Sequence, residues 1–345
     1  MTSALNARGE LDWKLEYNPD NIVGETLYML LADDRVALID HSDVSFAIDL
    51  MNRKSLGFVP KTSRSFMVAK SANEIFIIKS NVLFPISFES FTTKTRKYYH
   101  IIGFGESSDL TLLIPDAESF IVASHFMGDP REPKPVFRLR RIKYADSAIM
   151  WFFGLDAAPA RPPVTTDGRI VVARDGEVST VNMDGKVQDE FKIDCAPRWC
   201  AIGPDDHIYM LGSSAKGTFL YAVDFKGNTL WKHRTLIKQT SQPPIVGNDS
   251  LVYLVGLSKI EAYAREGKKW EYKLSGKSDL SKQASVTQDG VLLVADGNRV
   301  VALDKTGRTL WTYKDSENGE FCTQPVLDSK GRVYVATNKK MVAIK

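Results

Sequence analysis

Five histidines and three cysteines are the residues of this chain best suited to metal or nucleophilic chemistry, and their spacing serves neither. His41, His100, His125, His207 and His233 lie far apart, without the short paired spacing of a zinc site. His207 and His233 fall in strand-like stretches and read as surface or half-buried residues. Cys195, Cys200 and Cys322 make an odd count, which does not suit a disulfide framework and favours a reducing compartment. A bridge between Cys195 and Cys200 stays open at this point. The stretch GFGESS from Gly103 looks like a phosphate loop only superficially, because no lysine and no helix follow in the required places; a connecting turn is expected. There is no Gly-x-Ser-x-Gly elbow. The Asp-Gly pairs at Asp167, Asp175, Asp184 and Asp289 are turn formers. The expectation is a protein with no catalytic residue, no bound metal and no cofactor.

Recognition chemistry is better represented. Between Phe126 and Pro163 the chain is proline-rich at both ends and reads VFRLRRIKY, then IMWFF. The first run alternates like a strand and is read with one basic face, made by Arg138 and Arg140 and, after a phase slip, by Arg141 and Lys143. Trp151, Phe152 and Phe153 would serve as aromatic anchors beside that rim, giving a candidate partner-binding patch of seven residues. The competing reading is an ordinary outer strand whose aromatics fold back onto the body. A second basic and aromatic stretch, TTKTRKYYH, starts at Thr92. Such interleaving also suits single-stranded nucleic acid, but a net charge of +3 calls for no polyanion.

The elements that must carry these residues are repeats. LYAVDFKGNTLWKHR from Leu220, IEAYAREGKKWEYKL from Ile260 and VVALDKTGRTLWTYK from Val300 each show a strand, a glycine turn and a strand with tryptophan. A further alternating strand precedes each: HIYML at His207, LVYLV at Leu251 and VLLVA at Val291. The last copy, GRVYVATNKKMVAIK, stops before its turn and tryptophan strand. The opening ARGELDWKLEY supplies both, since Gly9 precedes Trp13 by four residues, as Gly307 precedes Trp311 and Gly227 precedes Trp231. The N-terminal strand is therefore expected to complete the C-terminal sheet and close a ring, a device that leaves only short edges.

A step of nine residues joins Tyr334 to Ala343, Tyr253 to Ala262, Tyr28 to Ala37, Phe66 to Ile75, Leu112 to Ile121 and Val171 to Thr180. Taken as second-strand markers, with Tyr209 and Leu292, these predict an all-β, eight-bladed β-propeller as one domain over 1–345. The blades fall at about 18–53, 54–92, 93–142, 143–193, 194–236, 237–276, 277–317, and 318–345 with 1–17. Seven blades is the alternative if the stretch around Leu112 is an insertion.

ALDKTGRTLW (302–311) and AVDFKGNTLW (222–231) resemble the tryptophan-docking repeat of the PQQ-like propellers, a family that includes quinoprotein alcohol dehydrogenases and an outer-membrane assembly lipoprotein. The resemblance implies that Trp13, Trp231, Trp270 and Trp311 each pack between neighbouring blades. The nine-residue step from the third strand lands on Phe46 and Phe84, which are expected to dock likewise, and on Pro130 and Asp189, where the docking aromatic is expected to be lost. The dehydrogenases of the family hold a calcium-bound quinone over adjacent cysteines, and no Cys-Cys pair occurs here. The resemblance then implies a non-catalytic protein-interaction platform. The alternative is a quinoprotein-like dehydrogenase, or a propeller that binds a small ligand or carbohydrate in its central channel.

The length of 345 residues, 43% apolar content and 25% charge suit a globular chain. The first residues hold no apolar h-region, and no stretch nears 18 apolar residues. The expectation is a soluble protein, monomeric by itself and not inserted in a membrane. It would be cytoplasmic as the chain stands, or periplasmic if a leader preceded it.

Overall fold

Apolar–polar alternation resolves into strands of two to eight residues in a computed structural model, and no helix forms among the described residues. The structure describes residues 8–17, 26–32, 34–41, 44–60, 66–71, 74–79, 82–87, 92–93, 99–100, 111–113, 118–126, 136–143, 148–155, 168–174, 176–238, 240, 242–275, 283–317 and 319–345. GFGESS and Pro130 lie outside them.

Strand β1 (Leu11–Glu16) comes first. A first sheet follows from β2 (Thr26–Ala32), β3 (Val36–His41), β4 (Val44–Asp49) and β5 (Lys54–Pro60). A second holds β6 (Phe66–Ser71), β7 (Glu74–Lys79), β8 (Val82–Ser87), β9 (Thr92–Thr93) and β10 (Tyr99–His100). The third is β11 (Thr111–Leu113), β12 (Ser119–Phe126), β13 (Val136–Lys143) and β14 (Ile149–Leu155). The fourth is β15 (Ile170–Arg174), β16 (Glu177–Val181) and β17 (Val187–Lys192). The fifth is β18 (Ala196–Ile202), β19 (Ile208–Ser214), β20 (Gly217–Val223) and β21 (Thr229–Arg234). The sixth is β22 (Ile245–Val246), β23 (Val252–Val255), β24 (Lys259–Ala264) and β25 (Gly267–Lys273). The seventh is β26 (Gln283–Val286), β27 (Leu292–Asp296), β28 (Arg299–Leu303) and β29 (Thr309–Lys314). The last takes β30 (Val326–Leu327), β31 (Val333–Ala336) and β32 (Lys340–Ile344), with β1 paired antiparallel to β32. The chain divides into two compact units, one of residues 1–80, 84–96 and 239–345, the other of 81–83 and 97–238.

The repeated residues have physical reasons. In the turn before each outer strand, an Asx side chain accepts from the backbone N–H groups two and four residues on. Asp304 Oδ1 takes Thr306 N at 2.8 Å and Arg308 N at 3.0 Å. Asp224 does the same for Lys226 and Asn228, and Asn182 for Asp184 and Lys186. The glycine three places after each cap sits at positive φ, as at Gly307 (+83°), where a side chain would be strained. Alanine of the motif lies between two rings. Tyr253, Ala262 and Trp270 stand side by side across three strands, and the tyrosine and tryptophan rings approach to 5.7 Å. Tyr209 and Trp231 flank Ala222 at 5.8 Å, and Tyr334 and Trp13 flank Ala343 at 5.9 Å. Two large rings close over the middle residue, so a small one fits there. The tyrosine hydroxyl is anchored in turn: Tyr209 donates to Asp205 at 2.8 Å and Tyr334 to Asp328 at 3.0 Å.

In the first half of the chain the strand markers are displaced. Tyr28 and Ala37 lie on the first and second strands of their sheet, and so do Phe66 with Ile75 and Leu112 with Ile121. Phe46 and Phe84 therefore stand on third strands, β4 and β8, rather than on outer docking strands. Phe46 is a core residue, met edge-on by Tyr17 at 4.8 Å; the side chain of Phe84 lies outside the described residues. The boundary expected at 142 cuts the third sheet, which runs on through Leu155. In a meander every hairpin advances the chain by a similar step, so a nine-residue ruler does not distinguish first-to-second from second-to-third strands.

Candidate functional site

Six outer strands share one register. Trp13 pairs with Ala343, Trp151 with Arg141, Asp189 with Thr180, Trp231 with Ala222, Trp270 with Ala262 and Trp311 with Ala302. In each a register shift adjoins that pair, so a bulge positions the docking residue the same way.

The docking contact is a ring on a glycine. A Cβ at Gly307 would lie 2.7 Å from Trp270, and the Trp270 indole N–H donates to Lys305 O at 2.9 Å. A Cβ at Gly9 would lie 3.0 Å from Trp311. Trp151 repeats the Trp270 arrangement. A Cβ at Gly185 would lie 2.7 Å from its ring, and its N–H donates to Met183 O at 2.7 Å, again the carbonyl two residues before the glycine. Trp13 packs with Phe46, Ile48 and Leu50, under the Arg53 guanidinium at 5.6 Å. Trp231 stacks on His233 at 5.0 Å.

This geometry corrects the seven-residue patch. Trp151, expected to face a partner, is the docking tryptophan of the third sheet. The third sheet thus retains the aromatic expected to be lost at Pro130. In the fourth sheet Asp189 does occupy the docking register, but Phe191, two residues on and on the same face, covers Gly227, where a Cβ would lie 2.6 Å away. The basic residues also divide. β12 and β13 pair without a shift from Ser119–Lys143 to Phe126–Val136, so no phase slip occurs and the pleat separates them. Arg141 and Lys143 share a face with Leu139, Trp151 and Phe153. There Leu139 is buried with Ile121, Val172 and Val181, and Trp151 and Phe153 pack against that cluster. Arg141 Nη1 donates to Met183 O at 2.6 Å and Nε to Ser119 Oγ at 2.8 Å. On the opposite face Arg138 pairs with Gly154 and Arg140 with Phe152. Arg140 is only 9% exposed, whereas Phe152 is 65% exposed.

Phe152 makes β14 unlike its counterparts. The residue after the docking position is Lys14 in β1, Glu190 in β17, Lys232 in β21, Glu271 in β25 and Thr312 in β29. Two residues further stand Glu16, Lys192, Arg234, Lys273 and Lys314, against Gly154 in β14. Each of those five strands carries at least one charged residue, and β14, IMWFFGL, carries none. Ile149 and Met150 are 56% and 52% exposed beside Phe152. Charges on an outer strand blunt its unpaired backbone edge; here that edge is bordered by exposed apolar side chains instead. The comparison of all outer strands in register would have flagged Phe152 once Trp151 was aligned with Trp270, but the turn before Trp151 is one residue longer and Arg141 replaces the alanine.

Other candidates hold less chemistry. A depression of about 230 Å³ on the fourth sheet has Arg174 and Lys192 beside Glu177 and Glu190, so its charges balance. Arg174 pairs with Glu177 at 2.9 Å, and Ser179 Oγ donates to Glu190 at 3.2 Å. Cys195, Cys200 and Cys322 are buried free thiols, and burial followed by the neighbouring Cys195 pushes Cys200 up to about 12. His207 Nδ1 lies 2.9 Å from Asp205. No three His, Cys, Asp or Glu side chains gather as metal ligands among the described residues.

Residues 215–345 match the family model described as outer membrane protein assembly factor BamB. No curated protein sequence matches the chain. BamB from Moraxella catarrhalis superposes with a TM-score of 0.67 at 13% identity, over 97% of this chain and 96% of that one. The C-terminal WD40 domain of Sif2 gives 0.65 at 12% identity, over 97% and 98%. A streptogramin B lyase gives 0.54 at 11% identity, over 96% and 97%. At such identities the likeness speaks for the fold. The chain has an all-β, PQQ-like propeller fold and is similar to the assembly factor BamB.

Proposed function

We propose that this protein is a non-catalytic protein-interaction platform that receives a protein partner at the outer edge of β14. The observation that carries this reading is the exposed apolar side of that strand, Ile149, Met150 and Phe152, at positions where its counterparts present charge. We include in the proposal that the eight sheets are eight blades of one ring, for which the shared register and the β1–β32 pairing are the support. The neighbours divide between an assembly factor, a WD40 domain and a lyase. The platform is preferred over a dehydrogenase or a ligand-binding channel because the conspicuous departure from the repeat lies on an outer strand. Nucleic acid is not the proposed partner, given the net charge of +3. Three buried free thiols suit a reducing compartment, so the cytoplasm belongs to the same proposal.

The test is affinity capture from source lysate with the intact chain, Phe152→Glu and Thr312→Glu. A partner identified by mass spectrometry should be retained by the intact chain and by Thr312→Glu and lost with Phe152→Glu. Equal capture by all three overturns the β14 site. A turnover assay that finds a substrate converted at the same rate by Phe152→Glu overturns the platform.

A further inference from the structure

We infer that the partner segment is an extended, acidic stretch of polypeptide that adds to β14 as a further strand of the third sheet. The inference rests on the platform reading and specifies its occupant.

Three observations carry it. β14 is the terminal strand of its sheet, seven residues long and paired on one side to β13. Alternate residues of such a strand turn their N–H and C=O groups away from the neighbour, and an added strand satisfies them. Second, its exposed side chains are Ile149, Met150 and Phe152, which can pack against every second residue of that added strand. Gly154 stands across from Arg138, so no side chain of β14 separates that arginine row from the edge. Third, β13 and β14 together carry four basic residues, Arg138, Arg140, Arg141 and Lys143, and no acidic one. Their field favours carboxylates in the incoming strand. A second copy of this chain fits less well, because two such basic sheets would meet with no acid between them.

The probe is a fluorescent heptapeptide of alternating valine and glutamate, followed by anisotropy on the full chain at low salt. It should bind, and Phe152→Glu should weaken it by about tenfold or more, while Thr312→Glu on β29 leaves it unchanged. A valine–lysine heptapeptide should bind about tenfold less tightly or worse, by charge alone. Methylating every second backbone nitrogen of the valine–glutamate peptide, in each of the two phases, should abolish binding in one phase, because strand addition uses those N–H groups.

Binding that survives both methylation phases overturns strand addition while leaving a docking surface. No binding of the valine–glutamate peptide, or equal binding to Phe152→Glu, overturns the inference outright. A dimer seen by ultracentrifugation and lost in Phe152→Glu would make a second copy the occupant and overturn it as well. A captured partner that depends on Phe152 and is not displaced by the peptide overturns the strand mode and keeps the platform. Peptide binding without any captured partner does the reverse.

Discussion

β14 and β25 differ by what they present to solvent, although they are held by the same device. In both, a bulged tryptophan lies on the next turn's glycine and donates its indole N–H to the carbonyl two residues before that glycine. Beyond the tryptophan, β25 shows Glu271 and Lys273, with Lys268 and Lys259 paired to Glu271. β14 shows Phe152 and Gly154. One face of each strand is therefore set by sheet-to-sheet packing, and the other is free to vary. Function is read from the face that packing leaves alone.

The comparison can be broken most severely by removing an outer strand. Deleting residues 1–17 takes away Trp13, the Gly9 seat of Trp311 and the partner of β32. Loss of Trp13 alone should cost about 3–5 kcal/mol, and the bared β32 edge should aggregate. Thermal denaturation with light scattering measures both; an unchanged melting temperature would show that β1 contributes no closure.

Next come the docking tryptophans themselves. Trp151→Ala and Trp270→Ala should each destabilise their sheet by about 3 kcal/mol, as large-to-small changes at half-buried rings. Gly185→Ala and Gly307→Ala should each cost about 2 kcal/mol, because a Cβ would meet the ring at backbone with positive φ. Denaturant titration reads all four. A harmless Gly185→Ala would return Trp151 to the partner patch.

Phe152→Glu should move stability by no more than about 0.5 kcal/mol and yet remove the partner. The reciprocal change, Thr312→Phe, should be equally quiet in stability and should raise peptide binding at β29 if an apolar outer face is what makes a site. Chemical denaturation and peptide anisotropy in parallel separate the two readouts.

The smallest effect concerns Lys14, the counterpart of Phe152 on β1. Lys14, and then Lys340, hold Glu317 at about 2, well below the usual glutamate range. A depressed carboxylate stabilises the fold above its ordinary range and ceases to do so as pH falls through its folded value. Glu317→Gln should therefore lower the melting temperature slightly at neutral pH, and the gap should close toward pH 2. A gap that persists in acid would mean that the glutamate acts by something other than its charge.

Much of the architecture was legible because it depends on neighbours in sequence. Asp304, Gly307 and Trp311 declare a capped turn and a docking strand by spacing alone. The four residues from Gly9 to Trp13 announced the pairing of β1 with β32 across the whole length of the chain. The third sheet was harder to read. Arg141 stands where alanine marks the repeat, and the turn before Trp151 is one residue longer, so neither motif nor ruler reached it.

The sequence by itself determined where strands and turns fall, since period-two alternation, Asx caps and positive-φ glycines act over a few residues. It also determined that a large aromatic recurs on the outer strands. Only the tertiary structure decided which of Trp151, Phe152 and Phe153 faces inward. Alternation divides a strand into two faces without naming the buried one. That choice was made when the turn at Asn182–Gly185 arrived beside Trp151, offering a bare glycine and a carbonyl to its indole and leaving Phe152 on the other side.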